Sequence, residues 1–437
     1  MIFLLLLVSA LPGILLGKYI FTKWFNPVTI YTLIWYSMLN LYHLKLLRYY
    51  DLNVETWLYI SGAYLSLLIG SATVYTARRI FNIKPSNNVN NDLKILLDGG
   101  KIIKIAIVVF SIIGFISAFQ HWSVLIAKYG GILEVLLKSN EIYRLRVAGK
   151  LEGVLPYLHS FAFIGVVLSG IYAAYFNKFP IIIFLPMFAI LIKEVANVGR
   201  SNILLAAIMF VTTFFIIKYF YLAKDKFYEK KIFRTVTLVI LIFGFFIGSS
   251  IITRLFRGTI ESYTGTSNAL SSFEDNVLIS PSIYLYLSAH VGVFNKYLEF
   301  DSEESEIGQY TFTPIYNLMS KFGAHEKIDF YHRGYFIPMW VNTGTFLREM
   351  HADYGIWGVF LVPYILGLMI TFFWFRFLES GSSFSLIFIV YLFSIITFSF
   401  SLSVTRFGIW YISLVLQLIA FKSLEIIINK NLRKQQN

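Results

Sequence analysis

The chain has 437 residues, of which 57% are hydrophobic and only 14% charged; its net charge is +13 and it contains no cysteine. Soluble domains carry roughly 25% charged residues, so a soluble globular protein is excluded. The missing thiols exclude disulfides, zinc thiolates and cysteine nucleophiles.

Apolar runs of about 20 residues recur along the whole sequence, each long enough to cross a hydrocarbon core of roughly 30 Å. Because lipid offers the backbone no hydrogen-bond partner, such continuous runs are helices; a β-barrel would need short alternating strands instead. The expected fold class is an all-α polytopic integral membrane protein with about 11 transmembrane helices and one long extracytoplasmic loop containing short helices. The expected organisation is 1–253 (helices one to eight), 254–353 (the loop) and 354–437 (helices nine to eleven and a basic tail).

In chain order, the first span is 1–19; its start, MIFLLLLVSALPGILLG, lacks a basic leading region and reads as a membrane helix, not a cleaved signal. Asn26-Pro27 opens the second span (27–46), Pro being suited to a first helical turn. The third span is 55–77, and RRIFNIKPSNNVNND follows within a solvated loop, 78–101. After the fourth span (102–121), residues 122–152 mix Leu and Ile with Lys, Glu and Arg at helical spacing, as in amphipathic helices lying on a membrane. The fifth to eighth spans are 154–176, 179–195, 203–222 and 235–253, and the last three are 354–375, 383–402 and 407–427.

Lys/Arg bias sets the orientation. With the N-terminus outside, Lys18, Lys23, the 78–101 loop, Lys178, the basic 224–234 loop, Arg376 and the tail NKNLRKQQN fall inside. The 122–152 stretch, the turn at Arg200 and the 254–353 loop fall outside; Lys45 and Arg48 run against the bias. The basic residues are scattered between spans, which suits anionic lipid and argues against nucleic acid. No P-loop, no G-x-G-x-x-G and no DxD motif is present. Neither a nucleotide cofactor nor a metal is expected, and Glu303, Glu304 and Glu306 read as a solvated turn.

The outer face collects Arg200, Arg254, Arg257, Arg333, Arg348 and Arg406 at helix ends, against the positive-inside tendency. Guanidinium groups bind phosphate bidentately, so such a cluster suits a lipid phosphate or diphosphate; a single Arg also snorkels to ordinary head groups. The densest stretch is GYFIPMWVNTGTFLREMHADYGIWG, in which Arg348 and His351 stand three apart and share a helix face. A His near an Asp can serve as a base near neutral pH, while Asp353 also suits the N-cap of the ninth span. His290, in the apolar stretch SPSIYLYLSAHVGVFNKYL, reads as structural.

The sequence resembles the bacterial oligosaccharide repeat-unit polymerases, the Wzy or O-antigen polymerase class. The likeness rests on Asn26-Pro27, Gly199-Arg200, the long outer loop and the stretches YLYLSAHVGVFN, GQYTFTPIYNLM and VNTGTFLREMHADYGIWG. It runs through most of the chain and is most specific over 280–360. It implies a metal-independent glycosyltransferase in the cytoplasmic membrane that joins undecaprenyl-diphosphate-linked oligosaccharides on the extracytoplasmic face. A hydroxyl of a new repeat unit attacks the donor's anomeric carbon and lipid diphosphate leaves. The diphosphate would be held by Arg200, Arg254, Arg257 and Arg348, with Arg333 and Arg406 as further donors; His351 or Asp353 would act as base. The resemblance also implies a chain-length regulator and a flippase as partners.

Three other readings stand beside this one; a structural or assembly membrane protein would not need an outer Arg cluster. An O-antigen ligase shares the plan and leaving group and differs in its acceptor. A lipid-linked oligosaccharide transporter predicts internal repeats and mid-span polar residues, whereas no clear repeat is present and Lys193 and Glu194 lie near a helix end.

Overall fold

The computed structural model describes residues 2–82, 92–138, 141–142, 145, 155, 157–197, 199–222, 281–300, 305–328, 333–337 and 340–436. The eighth span (235–253), the 224–234 loop, Arg254, Arg257, Glu303, Glu304 and much of 139–154 lie outside the described residues. The described chain is mostly helical; its only strands are the two-residue pair Tyr335–Phe336 and Trp340–Val341, antiparallel with Tyr335 opposite Val341. Among the described residues, five helices are long and apolar enough to cross a membrane: Val54–Ile80, Gly100–Tyr129, Ser201–Tyr221, Phe346–Ser380 and Gly408–Lys434. Leu5–Phe21, Ser160–Phe176 and Ser383–Phe398 are shorter apolar helices.

The contacts group into two compact units. One comprises Met1–Lys84, Ile260–Phe372 and Leu392–Gly408; the other comprises Pro85–Thr259, Phe373–Tyr391 and Ile409–Asn437.

In the first unit, local chemistry starts the helix Pro27–His43. The Asn26 side chain accepts from the Thr29 N–H (2.9 Å) and donates to the Lys23 carbonyl (2.7 Å), while Pro27 occupies the first turn. Helix Val54–Ile80 crosses Phe346–Ser380 at two glycines. A Cβ on Gly70 would stand 2.2 Å from the Tyr364 carbonyl oxygen, and one on Gly367 would stand 2.3 Å from that of Leu67. Backbones approach this closely only where side chains are absent, the usual device for packing helices in lipid. Helix His290–Phe300 is tied to the start of Val54–Ile80 by Asn295, whose Oδ1 accepts from the Asn53 N–H (2.7 Å) and the Thr56 hydroxyl (2.8 Å).

In the second unit, Gly100–Tyr129 packs against Ser160–Phe176 and Leu185–Asn197, and Ser201–Phe215 packs against Ser160–Phe176. Gly114 faces Ala162 and Ala189 at the centre. The helix that begins at Gly100 does not stop at 121; it continues to Tyr129, and Ile132–Leu137 forms a separate short helix. The Trp122 indole N–H donates to the Ile192 carbonyl (2.8 Å), so this aromatic anchors the extra two turns to a neighbour. Within the expected 78–101 loop, Asp92–Asp98 forms a short helix that buries Leu93 and Leu96. Helix Ser201–Phe215 loosens into a π turn, Ile216–Tyr221, where Lys218 is buried beside the Phe214 ring with Asn177 Oδ1 at 3.4 Å.

Candidate functional site

The helix Phe346–Ser380 begins eight residues before the expected start of the ninth span, and Gly355 breaks it (φ 59°, ψ −151°). That backbone region is essentially reserved for glycine. A short head, 346–354, therefore precedes the membrane-length stalk. Composition hides this head because it is full of charge, and the first unit of the protein accommodates each charged group in turn.

The head is docked by its first residue: the Phe346 N–H donates to the Ser399 carbonyl (2.9 Å), and Ser399 Oγ accepts from the Trp35 indole (2.9 Å). Arg348 is fully buried. Its Nη2 donates to the Arg333 carbonyl (2.7 Å), and its guanidinium lies 5.5 Å from the Tyr297 ring and 5.1 Å from that of Tyr335. The same Tyr335 ring stands 5.8 Å from the Arg333 guanidinium, which is exposed. Burying a cation is costly; ring faces and a charge-assisted hydrogen bond offset part of that cost.

One residue on, Glu349 forms a buried ion pair with Arg406 (2.8 Å), the two side chains being 2% and 7% exposed. Glu349 also accepts from the Ser403 N–H, and the Tyr310 ring lies 5.6 Å from the Arg406 guanidinium. His351 is half-buried between the Tyr59 and Tyr297 rings, with Nδ1 2.9 Å from the Tyr297 hydroxyl. Arg348 and His351 do share a face, and Tyr297 is what they share.

Asp353 does not cap the stalk. One of its oxygens accepts from the Ser305 hydroxyl (3.1 Å) and the Tyr310 N–H (2.8 Å); the other accepts from the N–H and hydroxyl of Thr311 (both 2.6 Å). It clamps the 305–311 turn to the head. His290 takes the structural role expected of it: Nδ1 lies 3.0 Å from the Thr343 carbonyl and Nε2 2.7 Å from that of Tyr286. Burial pushes its pKa down, against the pull of those two carbonyls.

Five of the eight residues named from sequence thus meet on one helix head or directly beside it: Arg333, Arg348, His351, Asp353 and Arg406. Arg200 belongs to the other unit, where it immediately precedes Ser201–Phe215 and its carbonyl accepts from the Leu204 N–H (3.0 Å). Arg254 and Arg257 lie outside the described residues. Sequence reasoning passed over Glu349, Tyr297 and Tyr310. Glu349 lies before the expected start of the ninth span, in a charged stretch that reads as loop, so no local signal marks it for burial. Among the described residues, no group of three His, Asp or Glu is arranged to hold a metal ion.

Fold and site together define a multi-pass α-helical membrane protein whose charged cluster sits at the head of a membrane-length helix. No protein-family model matches the chain, and neither does any curated protein or solved structure.

Proposed function

We propose that the protein is a membrane glycosyltransferase that polymerises undecaprenyl-diphosphate-linked oligosaccharide repeat units on the extracytoplasmic face of the cytoplasmic membrane. The observation that carries this reading is the meeting of arginines, His351 and tyrosines where a membrane-length helix begins. There, a lipid diphosphate would be presented at head-group level and its sugar would reach an aromatic, polar surface.

In this reading the acceptor hydroxyl oxygen bonds to the donor's anomeric carbon. The bond from that carbon to the diphosphate breaks, and lipid diphosphate leaves with the electron pair. The hydroxyl proton passes to His351, whose ring Tyr297 orients; a positioned base contributes roughly 10²–10⁴ in rate. Arginine donors stabilise the charge growing on the diphosphate. Of the three in the described site, exposed Arg333 is the one able to touch it. Arg348 supports Arg333 from behind through its carbonyl and the Tyr335 ring, and Arg406 is held by Glu349. Because the substrate carries its own activated bond, the chemistry calls for no nucleotide.

The test is purified protein in lipid with a lipid-diphosphate-linked repeat unit, a chelator and no nucleotide. A ladder of longer lipid-linked glycans is expected, weakened in Arg333→Ala and lost in His351→Ala. Folded, monodisperse protein that forms no ladder and moves the lipid across the bilayer would replace this reading with a transporter.

A further inference from the structure

The helix Thr313–Lys321 lies near the candidate site and plays no part in the chemistry above. Phe312, Ile315, Leu318, Met319 and Phe322 fall within a sector of about 120° on its helical wheel. All five are exposed, Phe322 by 80%. The opposite side faces the protein and is satisfied there. Thr313 is buried and its hydroxyl donates to the Gln309 and Tyr310 carbonyls (3.0 and 2.9 Å), while Asn317 Oδ1 accepts from the Ile328 N–H (2.9 Å). Lys321, exposed, marks the polar border.

The height of this helix relative to the membrane is fixed by two neighbours. Asp353 clamps Tyr310 and Thr311, immediately before it, to the head helix. Beyond the break at Gly355, the stalk exposes Ile356, Trp357, Leu361 and Ile365, the lipid-facing stripe of a membrane-length helix. Asp353 and Ile356 are three residues apart across the break, a span of at most about 11 Å of chain. The clamp therefore lies close to the first exposed apolar side chains of the stalk.

We propose that Thr313–Lys321 is an interfacial helix, its apolar arc lying in the head-group layer of the bilayer where the stalk enters it. Amphipathic helices with such an arc lie in the plane of the interface. This placement rests on the multi-pass membrane fold and is independent of the glycosyltransferase reading.

The chain's lack of cysteine makes the test direct. Single variants Leu318→Cys, Met319→Cys, Phe322→Cys and, as the polar-border control, Lys321→Cys are nitroxide-labelled and placed in phosphatidylcholine/phosphatidylglycerol nanodiscs. All four sites are exposed, and a monodisperse elution profile confirms folding. Collision rates with dissolved oxygen and with a water-soluble nickel chelate are compared. Oxygen is expected to exceed nickel several-fold at 318, 319 and 322, with the order reversed at 321. Nickel dominating at all four positions would place the arc in water and overturn the proposal. Spin–spin broadening that vanishes on dilution with unlabelled protein would also overturn it, because a second copy would then cover the arc.

Discussion

Replacing Glu349 with Gln removes one charge and little else. The amide oxygen can still accept from the Ser403 N–H, and the volume is unchanged. The side chains it separates are 2% and 7% exposed with N···O at 2.8 Å. Taking the charge centres as about 4 Å apart and an effective dielectric of about 20, their attraction is about 4 kcal/mol. Desolvating the two ions costs a comparable amount, so the intact pair contributes little net stability. Breaking it is different, because Arg406 is then buried without its compensating charge, at a cost of about 3–5 kcal/mol. Glu349→Gln should therefore unfold at clearly lower temperature than the parent in nanodiscs, followed by intrinsic fluorescence. Glu349→Gln with Arg406→Met, which removes both charges, should recover most of the loss. A double variant as unstable as the sum of the two singles would refute the reasoning, since the residues would then be uncoupled.

Other perturbations have equally definite outcomes. Asp353→Asn turns an amide NH₂ toward the N–H of Tyr310 or Thr311, leaving a donor facing a donor at about 1–3 kcal/mol; limited proteolysis should cut within 305–311 faster than in the parent, and an unchanged cleavage rate would remove the clamp. The pKa of His290 is lowered from the ordinary 6.5 by burial, the two carbonyls at its ring nitrogens opposing the shift. The unfolded chain takes up a proton first, so stability should fall as pH drops through about 6.5. His290→Gln should flatten that profile between pH 7.5 and 5.5, and parallel profiles would count against a lowered His290 pKa. Gly367→Ala places a methyl 2.3 Å from the Leu67 carbonyl oxygen; at about 1–3 kcal/mol of overpacking it should lower the unfolding temperature, and an unshifted transition would mean that the crossing is looser than drawn.

Much of the helical order was legible because its causes are local. Asn26-Pro27 announces a cap and a first turn, and the capping bonds are there. Long uncharged runs around Val54–Ile80 and Ser201–Tyr221 carry their own hydrophobicity. What escaped depends on partners far along the chain. Nothing near Glu349 indicates that Arg406, 57 residues on, neutralises it, so the charged start of Phe346–Ser380 reads as loop. Likewise, the indole of Trp122 reaches a carbonyl 70 residues away, and a helix expected to end at 121 continues to Tyr129. The candidate site followed the same division. The grouping of Arg348 with His351 came from helical spacing, whereas the roles of Tyr297, of the Asp353 clamp and of the Arg333 carbonyl arise from tertiary neighbours that no spacing rule reaches.

The break at Gly355 has a mechanical consequence. Bilayers differ in thickness, and a membrane helix answers by changing its tilt. In an unbroken helix that tilt would be passed on to every residue at its end. Here the stalk is joined to the head through a single non-helical residue, while the head takes its bearings from Ser399, Arg406, Tyr297 and the 305–311 turn. The break thus lets head and stalk take different directions from one continuous segment: the head is oriented by those tertiary partners, and the stalk by its close crossing with Val54–Ile80 at Gly70 and Gly367.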